Sequence, residues 1–94
     1  MQRQIGGNIL NRLNEVLEMF EQFFSGKYEP FAFSSDLPDC LCAYYDEMFA
    51  VAPKLTEILN EELPEICADY EPGFDVESFK KKVRAEYEKA LAAR

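Results

Sequence analysis

Seven carboxylates crowd one short stretch of the chain. Glu57, Glu61, Glu62, Glu65, Asp69, Glu71 and Asp75 run into and through NEELPEICADYEPGFD, with no Lys, Arg or His between them. Carboxylates in such numbers can do three kinds of chemistry. Paired in a desolvated cleft they move protons, and converging they hold a divalent cation. Turned outward together, they compete with phosphate groups for the Lys and Arg side chains of a basic surface.

The first two options fit poorly. DYEPGFDVE lacks the alternating oxygen ligands and the closing Glu of a calcium loop. The chain has no histidine, the commonest general base and metal ligand, so the usual Ser-His and Cys-His nucleophilic pairs are excluded. Cys40, Cys42 and Cys67 are too few for a structural zinc site without histidine, and are expected as buried free thiols in a reducing compartment. Gly6-Gly7 is followed by neither phosphate-loop spacing. The chain is therefore expected to have no enzymatic activity, no cofactor and no metal.

Charge sharpens the third option. The net charge is −8, but residues 1–79 carry −12 and residues 80–94 carry +4, the latter from Lys80, Lys81, Lys82, Arg84, Lys89 and Arg94. Most of the molecule should repel nucleic acid and anionic membrane and attract basic proteins. Glu57, Glu61 and Glu65 recur every four residues. Like charges at that spacing destabilise a helix by about 0.2–0.5 kcal/mol per pair, which interspersed Lys would relieve. The basic last segment could neutralise this ridge by packing beside it, and the sequence leaves that alternative open.

The elements that position these groups are helices. Apolar residues at Ile9, Leu10, Leu13, Val16, Leu17, Phe20, Phe23 and Phe24 mark an amphipathic helix over 8–25, closed by Gly26. KYEPFAFSSDLP is expected as an ordered connector whose Phe31 and Phe33 both plug the core. Asp36 is then expected to cap a second helix running to Val51, with Leu37, Leu41, Tyr45, Met48 and Phe49 inward. A third helix should open at Pro53 and continue to Tyr70, kinked or broken near Pro64, with Leu55, Ile58, Leu59, Leu63, Ile66, Cys67 and Tyr70 inward. Asp75 caps the last, with Phe74 stapled onto Phe79. The fold predicted is all-α: one domain over 1–94, a compact antiparallel four-helix bundle. MQRQIGGNIL lacks the apolar stretch of a signal peptide and no membrane span is present, so a soluble, cytoplasmic protein is expected.

Two segments carry a resemblance. FEQFFSGKYEPFAFSSDL resembles the first-helix end and connector of small bacterial immunity proteins of the colicin D type. DYEPGFDVESFKKKVRAEYEKAL is similar to their C-terminal portion, an acidic turn capping a lysine-rich helix. Related immunity proteins serve contact-dependent growth inhibition. The resemblance implies an acidic helical inhibitor that binds a basic, tRNA-cleaving toxin domain and blocks its active site by mimicking phosphates. No family motif fixes the contacts. Charge alone selects Glu57, Glu61, Glu62, Glu65, Asp69 and Glu71 as the partner-binding residues, with Tyr70 or Tyr44 as aromatic anchors. The alternative is a structural or regulatory helical module whose partner is another helix or its own copy. The free chain is expected as a monomer or weak dimer.

Overall fold

The computed structural model describes residues 3–94, with side chains from Arg12 onward; Ile9 and Leu10 lie outside the described side chains. The described residues form six helices and no strand: α1 Arg3–Phe24, α2 Pro30–Ala43, α3 Tyr45–Val51, α4 Pro53–Leu59, α5 Leu63–Asp69 and α6 Val76–Ala92. The Cα radius of gyration, 13.4 Å, is near that of a compact domain of this length. The all-helical class holds. Six segments take the place of the four helices expected, one of the divisions being the break expected near Pro64.

In α1 the three-four pattern buries Leu13, Val16, Phe20 and Phe23. The helix ends as its sequence predicts. Gly26 adopts φ +86°, its N–H donates to Phe23 C=O, and the Lys27 N–H donates to Gln22 C=O at 2.8 Å. That pattern satisfies the Gln22 and Phe23 carbonyls, and a side chain at position 26 would be strained.

The expected connector is helical. Glu29, not Asp36, caps α2: its carboxylate accepts from Ala32 N–H at 2.8 Å and Phe31 N–H at 3.1 Å. Pro30 occupies the first turn, where its missing N–H is harmless. Residues two apart on a helix face different sides, so Phe33 is fully buried while Phe31 is 47% exposed. Only one of the two plugs the core. Asp36 lies inside α2 and accepts from the Tyr28 hydroxyl at 2.6 Å.

Tyr44 (φ −105°, ψ 12°) divides the expected second helix into α2 and α3, and two breaks follow, the first where the second helix was expected to end. Ala52 leaves the helical region (φ −144°, ψ 78°) because it precedes Pro53, which separates α3 from α4. The third expected helix breaks over Asn60–Glu62, and Pro64 sits harmlessly in the first turn of α5. The apolar stripe survives both interruptions: Leu37, Leu41, Met48, Leu55, Leu59, Leu63 and Cys67 are all buried. Phe49, expected inward, is 38% exposed.

Aromatic rings form the centre. Phe23 stacks on Phe33 with centroids 4.1 Å apart, Phe20 on Tyr87 at 4.6 Å, and Phe79 on Tyr70 at 4.2 Å. Through these rings α1, α2 and α6 meet. The Tyr87 hydroxyl also donates to Glu21 Oε2 across the α6–α1 seam at 2.7 Å. The staple does not form as expected: Phe74 is 55% exposed and sits edge-on to Tyr70, while Asp75 caps α6 by accepting from Glu77 N–H.

Candidate partner-binding surface

The helical phase that buries Leu55, Leu59, Leu63 and Cys67 turns the intervening carboxylates outward. Glu57, Glu61, Glu62, Glu65, Asp69 and Glu71 are all exposed. Their arrangement differs from a single ridge. Glu57 stands on α4, Glu61 and Glu62 in the turn, and only Glu65 and Asp69 keep the four-residue spacing, on α5. The break relieves part of the like-charge repulsion that a continuous helix would have carried.

The ion pairs among the described residues lie elsewhere. Arg12 contacts Glu15 at 3.5 Å and Glu47 at 3.3 Å, and Lys89 contacts Glu86 at 3.1 Å. None of the six carboxylates has a cation within ion-pair distance among the described residues. Neutralisation at contact by the basic last helix is therefore absent here, and several of its cations are occupied. Arg84 lies over the Phe24 ring at 4.2 Å and Lys80 over Phe23 at 5.9 Å, while Lys89 holds Glu86. Stacked cations of this kind shield core rings from water.

The aromatic anchors need correction. Tyr70 is only 8% exposed and is stacked on Phe79, so it belongs to the core and not to a binding face. Its position at the C-terminal cap of α5 points the ring at α6. Tyr44 is half-buried beneath the Arg12 guanidinium, 4.7 Å from its ring centre. The aromatic group that does stand beside the acidic surface is Phe74. Sequence reasoning assigned it to the staple. Its place directly after Gly73 (φ +99°), in a turn that leaves the core, was the signal that it could face outward.

Phe74 forms one wall of a cleft of about 360 Å³ between α5 and α6. Ile66, Tyr70 and Phe79 make its apolar lining, and Asp69 and Lys82 face it from opposite helices without coming into ion-pair contact.

The thiols divide. Cys67 is buried, which pushes its pKa up to about 12, whereas Cys42 is exposed and Cys40 partly so. Cys40 is raised as well, by burial and then by Asp36, Asp39 and Glu15. The expectation of three buried cysteines thus holds for Cys67 alone. Among the described residues no cluster of His, Cys, Asp or Glu is arranged to hold a metal, and no helix is long and apolar enough to cross a membrane. Comparisons with protein-family models, curated proteins and solved structures returned no match.

Proposed function

We propose that this chain is an immunity-type inhibitor. It would be a cytoplasmic, non-enzymatic protein that binds the basic, tRNA-cleaving domain of a bacterial toxin and covers its active site with carboxylates. What supports the reading above all is one observation: Glu57, Glu61, Glu62, Glu65, Asp69 and Glu71 are all exposed without an ion pair among the described residues, while cations of α6 are engaged with Glu86 and core rings.

Each carboxylate offers two oxygens to Lys or Arg, as a phosphate does, so these groups compete with RNA for the same cations. The net charge of −8 adds long-range attraction that speeds encounter and fades as salt rises. In this reading α1, α2 with α3, α4 with α5, and α6 serve as the four sides of an antiparallel bundle, and the α4–α5 side is the one presented.

A second reading has its own observation. Phe31, Phe49, Val51 and Phe74 are exposed, which favours a helical interaction module or a self-associating dimer. Co-expression separates the two. The reading frame next to this gene, if it encodes a basic nuclease-like domain, should arrest growth alone and not in the presence of this chain. Arrest that persists with the chain present, or a neighbouring frame of metabolic function, would overturn the inhibitor reading. A salt-insensitive dimer in sedimentation would support the second.

A further inference from the structure

The cleft between α5 and α6 has the makings of a specific receptor, and its chemistry narrows the occupant. Its floor is the stacked Tyr70–Phe79 pair, and its outer wall is the Phe74 ring, 55% exposed and edge-on to Tyr70 at 6.5 Å. Two carboxylates look into it. Asp75 is held by the cap bond from Glu77 N–H to its Oδ1, and Asp69 has no ion pair among the described residues. A purely apolar occupant would bury Asp69 without a partner. An anionic one would meet two carboxylates against the single cation Lys82. A cation with a flat face satisfies both walls.

We infer that this cleft receives an arginine side chain of the basic partner, with its guanidinium lying on Phe74 and facing Asp69. The inference rests on the reading of a basic partner given above. Arginine is favoured over lysine because a guanidinium is planar, stacks on rings and is more weakly hydrated than an ammonium. The protein itself repeats the arrangement: Arg84 lies 4.2 Å from the Phe24 ring centre and Arg12 4.7 Å from that of Tyr44, whereas Lys80 stands off Phe23 at 5.9 Å. Lys82 is the internal competitor, its charge opposing the incoming cation at the same rim.

The test uses the full chain, isotope-labelled, titrated with the blocked tripeptide Gly-Arg-Gly and its lysine and citrulline counterparts while amide resonances are followed. The arginine peptide should shift Asp69, Phe74 and Ser78 saturably, the lysine peptide less, and the uncharged citrulline peptide not at all. Phe74→Leu should weaken arginine binding about threefold by removing the ring face. Asp69→Asn should weaken it by a similar factor, and Lys82→Ala should strengthen it. Both Phe74 and Asp69 are exposed, so unshifted resonances elsewhere will confirm an intact fold. Equal responses to arginine and citrulline, or indifference to Phe74→Leu, would overturn the inference. A hexalysine peptide read in parallel separates the two levels. If it perturbs Glu57–Glu65 in a salt-dependent way while arginine leaves the cleft unmoved, only the arginine site is refuted. If neither binds, the basic-partner reading falls with it.

Discussion

Phe31 and Phe33 are two residues apart and chemically identical, yet the helix places one in water and the other in the aromatic core. Phe33 is fully buried, stacked on Phe23 at 4.1 Å and edge-on to Phe20, Tyr28 and Phe79. Core Phe→Ala substitutions cost about 3–5 kcal/mol, and each aromatic pair adds about 0.5–1.5 kcal/mol beyond its area. Four ring contacts put Phe33→Ala at the upper end, about 4–5 kcal/mol. Small domains hold roughly 0.05–0.15 kcal/mol per residue, so the loss is a large share of the total. At about 4–8 °C per kcal/mol the midpoint should fall by tens of degrees. Phe31→Ala removes a ring that is 47% exposed and introduces a better helix former, so its stability should stay within about 0.5 kcal/mol of the parent. Urea and thermal unfolding followed by far-ultraviolet circular dichroism measure both. Equal losses in the two variants would refute a helix beginning at Pro30 and restore a connector with both rings inward.

Three further outcomes follow from local geometry. Glu29→Ala removes the side-chain cap of α2 and should lower stability by about 1 kcal/mol in urea unfolding, whereas Glu29→Asp tests whether the shorter arm still reaches. A thiol reagent on the native protein should label Cys42 quickly and Cys67 only after unfolding, since burial both blocks access and holds the Cys67 pKa near 12. Tyr87 is pushed from 10.0 to about 12 by burial, its bond to Glu21 and that residue's charge. The unfolded chain therefore loses this proton first. The associated stability is whole below about pH 10 and is lost as pH rises toward 12, so Tyr87→Phe should flatten that part of the alkaline stability curve.

Much of the helix content was legible because burial imposes a period. The α1 stripe, the Gly26 stop and the Asp75 cap all hold as their residues predict. The breaks before Pro53 and near Pro64 were announced by their prolines, whereas the one at Tyr44 was hidden because the apolar stripe runs across it from Leu41 to Met48. Leu59 and Leu63 likewise stay four apart and buried although the helix stops between them, so it was Pro64 and not periodicity that signalled that turn. The start of α2 was hidden for a different reason. Glu is an uncommon cap, and its longer side chain must fold back on the first-turn N–H groups, which no spacing rule reveals. At the candidate surface, exposure of the six carboxylates followed from helical phase. Tyr70 keeps its place on the inward stripe but not the anchor role, and Phe74 faces outward, because both flank a turn and the side each ring takes depends on its packing with Phe79.

The central claim is that the exposed carboxylates of α4, the turn and α5 bind a basic protein. The most direct measurement is the association of this chain with the basic domain it is proposed to neutralise, for the parent and for Glu61→Lys combined with Glu65→Lys, across a range of ionic strength. Both positions are exposed and outside any ion pair among the described residues, so the double variant should fold as the parent does. It should bind more than about tenfold more weakly, chiefly through a slower on-rate, and lose most of the parent's salt dependence. Unchanged affinity and an unchanged salt response in the folded double variant would contradict the account.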